Sequence, residues 1–130
     1  MSDVIYPTID ELVELNRRVL GEIRVKKADR HQVLSPSGLE HLMRLVEEQA
    51  GGVYEKSVTL LTVLVRTHPF ASGNRRTAYL ATMSFLRMNG RTATVQHDPR
   101  VLQGIREEFY TRDEIKAWLK GYEIKEFRRE

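Results

Sequence analysis

The residues best suited to chemistry lie in one short stretch, His68-Pro69-Phe70-Ala71-Ser72-Gly73-Asn74-Arg75-Arg76. A histidine titrates near neutrality and can move protons beside a reacting group. Arg75 and Arg76 fall where a helix should start. A helix N-terminus already carries partial positive charge and favours acids, so two cations there oppose stability unless an anion sits between them. Free backbone N–H groups, a flexible glycine and two guanidinium groups together describe a phosphate site. Each residue alone has a plainer reading: a surface or capping histidine, a solvated arginine pair, a turn glycine. The joint spacing is what points to a site.

Two helices must present this stretch. A helical run ends at His68, Pro69 stops it, and Ser72-Gly73-Asn74 makes a sharp turn. Arg75 and Arg76 open the next helix, which runs to about Asn89. Ala78, Ala81, Phe85 and Met88 share one of its faces, and Leu80, Met83 and Leu86 occupy others, the pattern of a helix buried within a bundle. The preceding run, Tyr54 to Thr67, is rich in β-branched residues and would score as a strand on propensity. Tyr54, Val58, Leu61 and Val65 nevertheless recur at helical spacing, and the length favours a buried helix.

The remaining elements read as further helices. Thr8 and Glu11 form a capping box, with Ile9, Leu12, Val13 and Leu20 on the face that follows and Gly21 at its end. Asn16 interrupts that face and is expected to bond locally. Residues 22–34, with Arg24, Lys26, Lys27 and Arg30, show no helical stripe and read as a short basic flap or hairpin. Ser35-Pro36 starts a helix carrying Leu39, Leu42, Met43, Val46 and Ala50, which Gly51-Gly52 terminates. Beyond Asn89-Gly90 a connection leads to Pro99 and a helix with Val101, Leu102, Ile105 and Phe109. Thr111 and Glu114 make a second capping box before Ile115, Trp118, Leu119 and Tyr122. The final charged residues are expected to be solvated or to continue that helix. The sum is an all-α bundle of about six helices around a central buried helix, forming a single domain over residues 1–130.

Composition agrees with this. In 130 residues, 41% are apolar, which is enough for a core, and 30% are charged. The net charge of +3 sets 21 basic against 18 acidic residues, a mild excess that suits a phosphate ligand better than nucleic acid. Without cysteine there is no disulfide framework or thiolate metal site. No apolar stretch approaches a membrane span and no signal peptide is visible, so a soluble cytoplasmic protein without membrane or direct nucleic-acid partners is expected. His31, His41 and His97 show no metal-ligand spacing. Tyr79 and Trp118 read as core residues.

The motif over residues 68–76 resembles the signature of the Fic/Doc family: H-x-F, an acidic or amide residue, Ala or Gly, N, Gly or Lys, then R. The resemblance extends to the helix order, the capping boxes and Phe85-Leu86-Arg87-Met88-Asn89-Gly90, and it is closest to the Doc-like toxins. It implies ATP-dependent modification of a hydroxyl on a target protein. His68 would be the general base, Phe70 a structural residue packed in the core, and Ser72, Gly73 and Asn74 part of the phosphate-binding turn. Arg76 would bind phosphate and stabilise transition-state charge. Adenylyl-transferring members have glycine after the asparagine and a second arginine later, where this chain has Arg75 and Tyr79. Doc-type members have a lysine at the position of Arg75, so the resemblance leans to phosphorylation over adenylylation, although arginine is not equivalent to lysine.

Ser72 is the departure that bears on activity. The family has Asp, Glu or Asn there, and the carboxylate holds Mg²⁺. Three readings follow: the metal is held by nucleotide phosphates and water, another acid such as Asp98 supplies the ligand, or the chain is a weakened, nucleotide- or partner-binding member. Further implications are a target such as elongation factor Tu, docked by strand addition at Arg24, Lys26, Lys27 and Arg30, and a Phd-like antitoxin in trans. The family's inhibitory motif, Ser or Thr, then three intervening residues, then Glu followed by Gly or Asn, has no match, because Thr8…Glu11, Ser37…Glu40 and Thr111…Glu114 have only two residues between.

Overall fold

The computed structural model describes residues 3–22 and 32–129. These form six helices in the order α1 (Ile9–Glu22), α2 (Pro36–Glu48), α3 (Val53–Thr67), α4 (Asn74–Met88), α5 (Pro99–Arg106) and α6 (Arg112–Leu119). No strand occurs among the described residues. Val33 and Phe70 form an isolated antiparallel bridge. The all-α expectation holds. The basic flap, with Arg24, Lys26, Lys27 and Arg30, lies outside the described residues.

Local signals explain most of the helix starts. Thr8 Oγ1 accepts the Glu11 N–H while Glu11 accepts the Thr8 N–H, and Thr111 and Glu114 repeat the exchange. Ser35 Oγ accepts the Gly38 N–H with Pro36 at the first helical position. Each box satisfies N–H groups that a helix start otherwise leaves orphaned. Gly21 does not end α1, which continues to Glu22.

α3 and α4 pack closely and form the centre of the bundle. α3 also meets α2, α5 and α6, and α4 also meets α1. α3 is a helix despite its β-branched content, because tertiary burial overrides propensity. Val58, Leu60, Leu61, Leu64 and Val65 are all essentially inaccessible, and burial of each such side chain contributes roughly 1.5–3 kcal/mol. α4 contributes Ala78, Ala81, Met83, Phe85 and Leu86 to the same core.

Two further features come from tertiary packing. Lys56, in the first turns of α3, is buried; its ammonium donates to the carbonyls of Val46, Glu47 and Gln49 at 3.2, 2.8 and 2.8 Å. A cation thereby closes the C-terminal end of α2, where the helix dipole favours it. The charged C-terminal stretch is neither helical nor simply solvated. Phe127 is buried against Phe109, Tyr110 donates to the Lys125 carbonyl, Arg100 donates to that of Phe127, and Arg129 pairs with Glu107. Gly104 makes room for this, since a Cβ there would lie 2.5 Å from the Tyr110 ring and 3.1 Å from that of Phe127.

Candidate active site

The link between α3 and α4 is a tightly specified turn. α3 ends at Thr67, and His68 is its C-cap, in the left-handed region at φ 47°. A non-glycine residue there carries local strain, the kind found at functional sites. Pro69 follows and cannot continue the helix. Phe70 is buried, and the backbone on either side pairs with the segment leading into α2: Leu34 and Ser35 donate to the Pro69 carbonyl, and Ala71 donates to that of Gln32. Gly73 caps α4 at φ 75°, so α4 begins at Asn74, one residue before the expected arginine pair.

Asn74 does more than open the helix. It is buried, its Oδ1 accepts the Phe70 N–H at 3.0 Å and its Nδ2 donates to the Phe70 carbonyl at 2.8 Å. Its side chain therefore closes the turn, and its backbone N–H lies at the helix start. Asn16, expected to bond locally, instead reaches across from α1. Fully buried, it donates to the Ser72 carbonyl at 2.9 Å and to Thr77 Oγ1 at 3.0 Å. The turn is thus held from α1, from α4 and from the segment before α2.

His68, Ser72, Gly73, Asn74, Arg75 and Arg76 line one cleft of about 460 Å³, together with Ala71, His97, Pro99 and Arg106. That size lies within the usual range of ligand sites. Phe70 is beneath it in the core. A second groove of about 460 Å³ runs between α1 and α4, lined by residues including Glu14, Leu15, Leu80 and Arg87, and contains none of the motif.

The cleft is strongly cationic. Burial, and after it Arg106 and Arg75, holds the His68 imidazole below its ordinary pKa, so it is neutral at pH 7 and able to accept a proton. Its Nε2 is buried and without a hydrogen-bond partner. Arg75 is partly buried, with Arg106 and Arg129 disfavouring its charge and Glu107 favouring it. His97 is likewise held below its ordinary pKa by burial and then by Arg76, with Asp98 opposing, and its Nε2 is also buried and unpaired. Among the described residues, Arg75, Arg76 and Arg106 hold no ion pair.

Arg106 and His97 were not identified from sequence. Arg106 lies more than a helix away from the motif in the chain, and its spacing marks it only as a cation in the last turn of α5. His97 precedes a helix start and carries no local signature.

A model of the Fic/DOC family matches residues 6–86, well over half of the chain. The chain belongs to the Fic/DOC family. The match takes in α1 to α3 and most of α4, so it covers the turn and the elements that hold it, while His97 and Arg106 lie beyond it. Among curated proteins this Fic/DOC chain is similar to Toxin Doc of Mycolicibacterium smegmatis (strain ATCC 700084 / mc(2)155), with 34% identity over 74 residues, covering 54% of this chain and 57% of that protein. The chain thus spans little more than half the length of the curated relative it matches.

The Mg²⁺ that the family implies does not fit the donors here. Mg²⁺ is held through carboxylate and phosphate oxygens in near-octahedral geometry, and the cleft lining contains no carboxylate. Ser72 offers a neutral hydroxyl. Asp98 uses Oδ1 to cap α5, accepting the Arg100 and Val101 N–H groups, and it lines a different pocket. Glu107 is bonded to Arg129 and Gln103. Among the described residues no group of three or more His, Asp or Glu is placed to hold a metal. None of the described helices is long and apolar enough to cross a membrane.

Proposed function

We propose that this Fic/DOC chain is a Doc-like toxin of a toxin–antitoxin pair, a single catalytic domain that phosphorylates a Ser or Thr hydroxyl of a cytosolic target protein with ATP. The observation that carries this is the family turn itself, with a neutral His68 beside the guanidinium groups of Arg75 and Arg76 at the start of α4. In this reading the target hydroxyl attacks the γ-phosphorus of ATP. The new P–O bond forms as the bond to the β,γ-bridging oxygen breaks. ADP leaves, and the hydroxyl proton passes to the imidazole of His68. Arg76 and the backbone N–H groups of Gly73 and Asn74 hold phosphate oxygens as charge moves to the leaving group. Arg75, a cation where adenylyl-transferring members have glycine, supports phosphoryl over adenylyl transfer. By family analogy the target is a translation factor such as elongation factor Tu and the restraint is a Phd-like antitoxin. Arg24, Lys26, Lys27 and Arg30 are the proposed target-docking residues.

Incubation of the purified protein with γ-labelled or α-labelled ATP in cell lysate tests this. Labelled target protein with γ-label alone supports phosphorylation, and transfer of α-label supports adenylylation. Ser72 favours a second reading, a weakened member that binds nucleotide or partner without efficient transfer. Absence of transfer from either label, by a folded protein that binds ATP, supports that reading, and gain of Mg²⁺-dependent transfer in Ser72→Asp would establish it.

A further inference from the structure

Arg106 lines the same cleft as the motif but comes from α5, outside the α3–α4 turn. It is exposed, and no described acid pairs with it. It is the first charged neighbour acting on both His68 and Arg75. The cleft therefore holds three guanidinium groups, Arg75, Arg76 and Arg106, two uncharged imidazoles and no carboxylate. Glu107, bonded to Arg129 and Gln103 and outside the lining, is the acid that acts on Arg75 and Arg106; the lining itself carries three like charges and no carboxylate, and an anion among them lowers their mutual repulsion. A site that binds metal-chelated phosphate adds at least one carboxylate to hold the cation, and this lining has none. Guanidinium groups can take the cation's place directly: each is a fixed planar fork that donates two parallel hydrogen bonds to phosphate oxygens.

We infer that this cleft binds the phosphates of a nucleotide without a divalent cation, their charge being balanced by Arg75, Arg76 and Arg106, with Arg106 a phosphate ligand contributed by α5. The inference rests on the nucleotide reading given above and adds what neutralises the nucleotide. The acid absent at Ser72 and the cation present at Arg106 then form one arrangement: the first would attract a metal ion and the second makes it unnecessary.

A plainer role for Arg106 is to complement the dipole at the C-terminal end of α5. That role affects stability and not ligand affinity, so the two separate experimentally. The test is binding of a fluorescent ATP analogue to the full chain, titrated in EDTA and in MgCl₂, with thermal unfolding recorded for every variant. Dissociation constants within about threefold of each other in the two buffers, together with a loss of about tenfold or more on Arg106→Ala in EDTA, are expected; one charge-assisted bidentate contact has that magnitude. Ser72→Asp is expected to bind more weakly than the parent in EDTA and to regain affinity with MgCl₂. Binding by the parent only in MgCl₂ overturns the proposal, as does an Arg106→Ala variant that binds like the parent in EDTA. Absence of binding in both buffers by a folded parent overturns the nucleotide reading itself, an outcome distinct from dependence on Mg²⁺.

Discussion

Asn16 and Ser72 stand 56 residues apart in sequence, and the Asn16 side-chain amide donates to the Ser72 backbone carbonyl at 2.9 Å, from a position fully removed from solvent. A second N–H of the same amide bonds Thr77 Oγ1. α1 therefore sets the path of the turn that carries the motif. Asn16→Ala leaves a carbonyl and a buried hydroxyl without their donor and should destabilise the fold by about 1–3 kcal/mol. A fall in the urea midpoint with an unchanged m-value would show this. Asn16→Asp, which exchanges the donor for an acceptor at the same volume, should be at least as damaging.

Gly73 is the second fixed point of that turn. At φ 75° an added Cβ would be strained by backbone conformation alone, and it would also meet Leu20 Cδ2 at 3.2 Å and Asn16 Nδ2 at 3.3 Å. Gly73→Ala should cost about 1–2 kcal/mol from the left-handed backbone and should weaken nucleotide binding more than Gly90→Ala, where φ is also positive but nothing lies near the added atom. Paired unfolding and binding titrations on the two variants make the comparison.

His68 combines a strained backbone with a buried, unpaired nitrogen. If transfer uses it as base, His68→Ala should lower the rate by about a hundred- to ten-thousandfold and leave the circular dichroism spectrum intact. His68→Gly should lower the rate to the same extent as His68→Ala and be more stable than it by about 1 kcal/mol, because glycine adopts the left-handed conformation without penalty. A variant that lost folding and activity in parallel would argue for a structural histidine.

The pH dependence follows from the same residue. Burial and then the cations Arg106 and Arg75 hold the His68 pKa below its ordinary value of 6.5. The base form is therefore present at neutral pH, and transfer should fall only as pH drops below that value. Arg106→Gln removes one of the cations, so its acid limb should lie at higher pH than the parent's. Single-turnover rates from pH 5 to 8, with nucleotide saturating for each variant, would detect the difference.

Stability in acid rests on another group. Glu55 accepts from Lys116 of α6 and from the Gly52 N–H at the start of α3. The Lys116 bond first, and the backbone bonds after it, hold its carboxyl at about 2. A carboxyl whose pKa is lowered on folding stabilises the fold above its unfolded pKa and loses that contribution as pH falls toward the folded value. Glu55→Gln should thus lower the melting temperature at pH 7, and its deficit against the parent should shrink between pH 4.5 and 2.

What could be read from the chain was what is decided locally. Thr8, Ser35 and Thr111 cap helices through bonds to residues three positions on, and the α3–α4 pattern is a matter of periodicity. The motif was legible because His68 to Arg76 are adjacent. Asn16, Lys56 and Phe127 were not, since each has its partner on a separate segment that only the packed fold brings near. Arg106 and His97 joined the site for the same reason: both line the cleft from segments distant in sequence from the motif, and nothing in their spacing announces a ligand.

The backbone pairing of residues 32–35 with Pro69 and Ala71 has a consequence for chain length across relatives. Ser35 is both a donor to Pro69 and the cap of α2, so an inserted or deleted residue between Gln32 and Pro36 would shift one register against the other. Insertions and deletions should be rare in that interval. An alignment of relatives would show a constant length there, set by the turn that holds His68.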